Sequence, residues 1–325
     1  MKQVTVSAPG KLMLLGEHAV VYGRPCIVTT VDKRMKVQAA LSDESIFKLA
    51  AEDVAINEYA KPLDRIGKDE IPPKASFVEM ALRNFYLKYK TISGVCITTS
   101  GFSSDFGLGS SASVTACTVK ALSCLFDINM SPKEIFDLSY QTILDVQQEG
   151  SGFDAAAAIY GGTLYYTFRG EIIEPLTING LELVIGYSGV KTDTVSMVNL
   201  VKEKMKSYKK GVEKIFDNIA ALVIEAKEAL LMGNWERLGT LMDFNQSYLE
   251  DLGVSSPKLN QMISAVRLSG AYGAKLSGAG GGDCIVALVT ADMRKSVELA
   301  IQGAGGETID TGINVPGIKT EEQMK

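Results

Sequence analysis

A glycine-rich loop, Ser277-Gly278-Ala279-Gly280-Gly281-Gly282-Asp283, lies between two apolar runs and constrains this chain more than any other feature. Glycine loses more backbone entropy on folding than any other residue, so a segment with four glycines is costly to order. A β-hairpin turn needs only one or two glycines. The excess therefore predicts that the backbone of this loop approaches a ligand closely.

A second glycine loop, Phe106-Gly107-Leu108-Gly109, separates a predicted strand at 95–99 from a predicted helix that begins at Ser110. Glycines let a backbone approach an anion, and the N–H groups at a helix start point towards it. The hydroxyls of Ser110 and Ser111 could bind phosphate or Mg²⁺. Neither a Walker motif nor GxGxxG is present. The spacing alone is equally typical of a capped helix after a tight turn.

Two charged residues stand in unusual local contexts. Lys11 begins an apolar strand, where a lysine is awkward unless it faces a polar cleft, and Glu17 and His18 follow where that strand ends. Asp154 precedes four alanines after Gly150-Ser151-Gly152-Phe153. Each has an ordinary alternative, since a strand-end lysine is commonly solvated and a first-turn carboxylate favours the helix dipole.

Composition excludes several classes of function. The net charge of -5 over 325 residues argues against nucleic-acid or membrane-surface binding, which needs a basic face. There is no apolar run of about 20 residues, as a membrane span would require. A single histidine and five cysteines without CxxC spacing argue against a zinc enzyme. We predict a cytoplasmic protein with reduced thiols, and the sequence permits a homodimer.

The pattern of apolar residues predicts a mixture of strands and helices. Strands are predicted at 3–8, 11–16, 26–32 and 34–41, and 51–73 is predicted to be an irregular surface connection. Helical spacing is clearest at 209–232, and the polar tail after Val315 is predicted to be loose.

Taken together and in this order, the motifs resemble the GHMP family of small-molecule kinases. The resemblance rests on Pro9-Gly10-Lys11, Gly16-Glu17-His18, Gly107 to Ala112, Asp154 with Tyr160-Gly161-Gly162, and Gly273 to Gly282. It implies an α+β fold with a ribosomal-protein-like N-terminal lobe at 1–180 and a ferredoxin-like C-terminal lobe at 181–325. It also implies phosphoryl transfer from ATP, with Mg²⁺, to the hydroxyl of a small acceptor, with mevalonate expected and phosphomevalonate as the alternative.

The same resemblance assigns roles to individual residues. Asp154 would accept the proton of the acceptor hydroxyl, Lys11 would stabilise negative charge beside it, and Ser111 would bind the metal. The nucleotide would be held by Phe106, Gly107, Leu108, Gly109, Ser110, Ser111 and Ala112. The acceptor would be held by Glu17, His18, Thr192, Thr194, Gly278, Ala279 and Gly280.

Some positions depart from the family pattern. Ile143 stands where these kinases carry a metal-binding glutamate, so Asp145 or Glu149 could replace it, or phosphates and water could hold the metal. Phe106 and Asp283 are more similar to phosphomevalonate-phosphorylating members. A kinase-like cleft could also serve a non-catalytic, ligand-binding regulator. The joint presence of Lys11, Ser111 and Asp154 favours an enzyme.

Overall fold

A computed structural model of the protein describes residues 2–102 and 106–324. The first half of the chain forms β1 (Gln3–Leu15), β2 (Cys26–Ser42), β3 (Ile46–Ala51), β4 (Ile56–Pro62), α1 (Ser76–Tyr89), β5 (Gly94–Ser100), α2 (Ser110–Leu125), α3 (Pro132–Gln147), α4 (Phe153–Tyr160), β6 (Thr163–Tyr166) and β7 (Ile173–Leu176). The second half forms β8 (Leu183–Tyr187), α5 (Thr194–Met232), α6 (Trp235–Leu252), α7 (Pro257–Leu268), β9 (Gly273–Ser277), β10 (Cys284–Leu288), α8 (Arg294–Gly303), β11 (Glu307–Ile309) and β12 (Lys319–Met324).

The first sheet has the strand order β12-β1-β2-β5-β3-β4, and β6 and β7 extend it from β2. Helices α1 to α4 pack on this sheet through one continuous apolar core that includes Phe47, Phe85 and Phe136. The helix starts follow from local sequence. At α3, for example, Ser131 and Glu134 form a capping box and Pro132 occupies the first turn.

The second sheet has the antiparallel order β11-β8-β10-β9. Along the chain its elements alternate as strand, helices, two strands, helix and strand, which is the ferredoxin-like arrangement. Every residue of β9 and β10 is buried, as expected of central apolar runs covered by helices. The two-lobed α+β fold predicted from the sequence is thus confirmed.

Local differences from the sequence prediction have physical causes. The strands predicted at 3–8 and 11–16 form one strand, β1, and those predicted at 26–32 and 34–41 form one strand, β2. The predicted break is only a shift in the register between β1 and β2, where Pro9 pairs with Arg34 and Gly10 pairs with Val31. Residues 56–62, predicted to be irregular, form β4 against β3. This edge strand is largely exposed and ends in Pro62, so it lacks the alternation of a half-buried strand.

Two further segments differ. Helix α5 begins at Thr194 rather than near 209, with a non-helical residue at Tyr208 in its interior. The polar tail forms β12, which pairs antiparallel with β1 in the first sheet. A lobe boundary near residue 180 stays a prediction, and the last strand lies in the first sheet. Within the described parts of the chain, no helix has the length and apolar character to cross a membrane.

Candidate active site

A cavity of about 880 Å³ opens between the two lobes. This volume lies within the range of small-molecule sites, roughly 300–1,000 Å³. Its walls come from the end of β1, the start of α2, the α3–α4 connection, the start of α5 and the glycine loop before β10. Nearly all the residues singled out from the sequence converge here.

Lys11 and Asp154 meet at the wall of the cavity. Lys11 projects from β1, and its Nζ lies 3.1 Å from Oδ1 of Asp154. The same Nζ donates a hydrogen bond of 3.2 Å to the carbonyl of Gly107 and lies 5.4 Å from the centre of the Phe153 ring. The ammonium group is thus fixed between a carboxylate and the glycine loop, with its stem buried.

The nucleotide loop, residues 106–109, packs tightly against this pair. The backbone N–H of Lys11 donates to the carbonyl of Leu108 at 2.9 Å. A Cβ atom at Gly109 would lie 3.0 Å from Cε of Lys11 and 3.4 Å from Oδ1 of Asp154. Gly109 also has φ of +82°, in the left-handed region that glycine tolerates best. The loop therefore needs glycine both for its backbone conformation and for room.

The start of α2 is suited to an anion. Gly109 is its N-cap residue and has no side chain to bond the first free N–H groups. Such unpaired N–H groups, together with the helix dipole, attract phosphate. Among the predicted nucleotide residues, those that line the cavity are Gly107, Gly109, Ser110, Ser111 and Ala112.

Phe106 and Leu108 lie elsewhere. The Phe106 ring packs edge-on against Tyr187, with 5.2 Å between ring centres. Leu108 is buried in a small apolar cluster between the lobes, and its backbone carbonyl is the group that reaches Lys11. Both residues therefore support the loop from behind and do not line the cavity.

Asp154 lies in the first turn of α4, after Gly152. Gly152 has φ of +90°, and a Cβ there would lie 2.6 Å from the hydroxyl of Tyr166. That hydroxyl donates to the carbonyl of Ser151 at 2.6 Å, which fixes the turn before the helix. About a third of the Asp154 side chain is exposed, at 33%, so its carboxylate can receive a ligand from the cavity.

Glu17 and His18 form a second wall. The Glu17 carboxylate pairs with the ammonium of Lys275 on β9, and both side chains are almost fully buried. Burial raises the pKa of Glu17, which the charge of Lys275 opposes, and burial lowers the pKa of Lys275. The second oxygen, Oε2, has no hydrogen-bond partner among the described residues. A ligand hydroxyl could satisfy it.

His18 joins the two lobes directly. Its Nε2 lies 2.8 Å from the carbonyl of Ala279, so this nitrogen carries the proton and donates. Burial lowers the pKa of His18, which favours the neutral ring. The backbone of His18 has φ of +59°. Its position at the cavity wall is thus held against local strain.

The glycine-rich loop at residues 277–283 is only partly open to the cavity. Gly278 and Ala279 line it, and no atom lies within 4 Å of a Cβ built at Gly278. Gly280 does not line it, because its Cα faces the carbonyl of Val254. A Cβ at Gly282 would similarly lie 2.3 Å from the carbonyl of Val190. Part of the glycine excess thus allows close packing of backbone on backbone.

Thr192 and Thr194 line the wall that the start of α5 contributes. Asp283 accepts the N–H of Thr192 at 3.1 Å, and a Cβ at Gly107 would lie 2.8 Å from its Oδ2. This carboxylate therefore connects the 188–194 segment with the nucleotide loop. Burial raises the pKa of Asp283, and the nearby Lys11 and Lys191 oppose that rise.

The structure separates the candidates for a metal-binding carboxylate. Ile143, which the sequence resemblance places at the glutamate position, lines the cavity. Asp145 accepts hydrogen bonds from Asn84 and Gln141 and does not line the cavity. Glu149 does line it, but its carboxylate pairs with Lys202. Among the described residues, no group of three or more acidic, histidine or cysteine side chains could hold a metal unaided.

Several lining residues were not identified from the sequence. One face of the first turns of α5 contributes Val195, Val198, Asn199 and Lys202. Helical spacing predicted this helix only at 209–232, but Asp193 caps its true start by accepting the N–H of Ser196. That capping pattern was the available signal. Other lining residues to which the sequence assigned no role include Gln147, Gln148 and Lys191.

This fold and this cavity define the class of protein, a two-lobed small-molecule kinase. Two family models match, GHMP kinases N terminal domain at residues 76–162 and GHMP kinases C terminal at 226–306. The mevalonate kinase of Pyrococcus abyssi is 36% identical over 98% of each chain. The chain belongs to the GHMP kinase family, and membership implies the use of ATP.

Solved structures of two mevalonate kinases superpose on nearly the whole chain. The mevalonate kinase of Methanococcus jannaschii superposes with a TM-score of 0.80 at 27% identity, over 96% of this chain and 98% of that one. The L. major mevalonate kinase in complex with R-mevalonate gives a TM-score of 0.77 at 25% identity, over 95% of each chain.

Proposed function

We propose that the protein transfers the γ-phosphoryl group of Mg-ATP to the primary hydroxyl of mevalonate. The observation that carries this proposal is the Lys11–Asp154 contact of 3.1 Å beside the open start of α2. A proton acceptor, a fixed positive charge and a phosphate-binding helix start are thereby held within one cavity. The named activity of relatives at 34–36% identity over nearly the whole chain supports mevalonate as the acceptor.

Phosphoryl transfer depends on positioning and on the stabilisation of charge on the equatorial oxygens. The N–H groups at the start of α2 would hold the phosphates through Gly107, Gly109, Ser110 and Ala112. Because Lys11 is fixed by Gly107 and Asp154, its charge is directed at the reacting group before the substrate arrives.

Asp154 would accept a hydrogen bond from the acceptor hydroxyl and take its proton as the bond to phosphorus forms. Its partial exposure leaves the carboxylate accessible, while the contact with Lys11 holds its orientation. The acceptor would lie against Glu17, His18, Thr192, Thr194, Gly278 and Ala279. Gly280 supports this wall from outside the cavity.

Mg²⁺ fits the donors that are present. This ion usually keeps several waters and binds through substrate phosphates with one or two protein oxygens. Ser111 offers such an oxygen at the nucleotide side of the cavity. With Ile143 in the glutamate position and Glu149 paired to Lys202, phosphates would supply most of the remaining ligands. The ion would neutralise charge on the β- and γ-phosphates.

The test is ATP consumption by purified protein with mevalonate, 5-phosphomevalonate, homoserine and galactose. We expect mevalonate to be preferred, and Asp154→Asn to lower kcat by about 10²- to 10⁴-fold, the range for a general base, with nucleotide binding retained. Asp145→Asn is the matched control, since its carboxylate lies outside the cavity. Preference for phosphomevalonate would contradict the substrate assignment. Absence of turnover with all four would favour a non-catalytic regulator.

A further inference from the structure

The positive charges that line the cavity, within the described residues, are Lys11, Lys191 and Lys202. Lys11 is committed to Asp154 and the nucleotide loop. A hydroxy acid has a reacting hydroxyl at one end and an anionic group at the other. If the hydroxyl lies at Asp154, as the proposed function requires, the other two lysines are the cations available to the anionic end.

Lys191 lies on the nucleotide side. It immediately precedes Thr192, whose N–H donates to Asp283. The carboxylate of Asp283 in turn faces Gly107 of the nucleotide loop. Burial raises the pKa of Asp283 while the charges of Lys11 and Lys191 oppose the rise, so both ammonium groups lie near Asp283, beside the nucleotide loop. Lys191 is therefore suited to ATP.

Lys202 lies on the acceptor side. Together with Val195, Val198 and Asn199 it forms one helical face along the cavity. The charge of Lys202 also acts on the hydroxyl of Tyr22. Tyr22 follows directly after Val20 and Val21, which line the cavity. Burial raises the pKa of Tyr22, and Lys202 opposes that rise while Glu149 adds to it. Lys202 thus lies near the segment that continues the Glu17–His18 wall.

The present partner of Lys202 is replaceable. Glu149 belongs to the α3–α4 connection, and the exposed fractions of the Lys202 and Glu149 side chains are 35% and 56%. Ion pairs this exposed are weak, because water screens them and both side chains lose freedom. An incoming carboxylate can therefore replace that of Glu149 at low cost.

We propose that Lys202 binds the anionic end of the acceptor and so selects hydroxy acids over neutral alcohols. This inference rests on the proposed function and names the residue that determines its specificity. That anionic end is the carboxylate, which mevalonate and phosphomevalonate share and which lies at the end of each molecule away from the group that accepts the phosphoryl.

The experiment compares mevalonate with its neutral analogue 3-methylpentane-1,3,5-triol. Lys202→Met should lower kcat/KM for mevalonate by about 10- to 150-fold, the value of a hydrogen bond to a charged group. The triol should be affected far less, and the KM for ATP should not change. Lys206→Met is the matched control, since Lys206 lies on the same helix, pairs with Glu203 and does not line the cavity.

A second variant tests the exchange of partners. Glu149→Gln should lower the KM for mevalonate by about 1.5- to 5-fold, because the acceptor no longer competes with an exposed ion pair. An equal loss with mevalonate and triol in Lys202→Met would overturn the proposal. So would a loss confined to mevalonate in Lys191→Met.

Failure of the Lys202 proposal can be distinguished from failure of the proposed phosphoryl transfer. If the wild-type protein does not phosphorylate mevalonate, the proposed reaction is wrong. Calorimetric binding of mevalonate and phosphomevalonate to the wild type and to Lys202→Met then tests the anion site directly. Affinity that is unchanged by the substitution, for both anions, would refute it.

Discussion

The buried ion pair between Glu17 and Lys275 links the two lobes and gives a sharp prediction of stability. Glu17 follows β1 in the first lobe, whereas Lys275 lies on β9 in the second. The exposed fractions of their side chains are 1% and 0%. Lys275→Met keeps the volume of the side chain but leaves a buried carboxylate without its main countercharge.

Removal of one partner of a buried pair costs about 3–5 kcal/mol, since the remaining charge is uncompensated. We therefore expect Lys275→Met to lower the free energy of unfolding by that amount at neutral pH. The size of this loss should depend on pH. Burial already raises the pKa of Glu17, and loss of the Lys275 charge, which opposes that rise, raises it further.

The sign follows from proton linkage. A carboxyl whose folded-state pKa lies above its unfolded value binds its proton more tightly in the folded state. Its contribution to stability is present at low pH and is lost as pH rises through the folded pKa. The difference between wild type and Lys275→Met should therefore shrink as pH falls from about 7.5 to 5, since Glu17 becomes neutral in the variant.

The assay is urea unfolding followed by circular dichroism, with fluorescence of the single tryptophan, Trp235, as a check that one transition is observed. Lys61→Met is the control. Its partner Glu79 is also buried but keeps hydrogen bonds from Tyr59 Oη and the N–H of Gly67. Its loss should be smaller and depend less on pH. A loss below about 1 kcal/mol in Lys275→Met, or one independent of pH, would refute this reasoning.

Two further substitutions test the nucleotide loop. Gly109→Ala should lower kcat by about 100-fold, because its Cβ would lie only 3.0 Å from Cε of Lys11 and would shift that ammonium away from Asp154. The control for backbone strain is Gly23→Ala, because Gly23 has φ of +80° but no atom lies within 4 Å of a Cβ built there. Both variants are compared by steady-state kinetics, and equal losses of kcat would contradict the steric argument. Ser111→Ala should raise the Mg²⁺ concentration needed for half-maximal activity by about 10-fold, the effect of a lost contact to a charged group. An unchanged Mg²⁺ titration would remove Ser111 from that role.

The sequence predicted the centre of the site better than its walls. Lys11, Asp154 and the loop before α2 were identifiable because a strand lysine, a carboxylate before alanines and two glycines each break a local rule. Lys202 breaks none, since a lysine on an exposed helix face is ordinary. Its proposed role depends on the fold, which places the Lys202 ammonium beside Glu149 at the wall of the cavity.

The glycine-rich loop at 277–283 also shows what sequence alone does not reveal. Four glycines indicated a close approach, and close approaches do occur at Gly280 and Gly282. Their partners are the carbonyls of Val254 and Val190, which are distant in sequence. Sequence spacing cannot tell a ligand from another piece of backbone, because both require the absence of a side chain. Edge strands such as β4 escaped prediction because exposure removes their alternation.

The position of β12 has a consequence for how the protein is made. This strand covers β1 at the edge of the first sheet, and Ser7 on β1 donates to Glu321 on β12 at 2.6 Å. At roughly 5–20 residues per second, a ribosome needs about 15–60 s to proceed from the end of β1 to β12. Throughout that interval the hydrogen-bonding edge of β1 lacks its outer neighbour, and open strand edges invite pairing with other chains. Completion of the first lobe therefore waits for translation of nearly the whole second lobe.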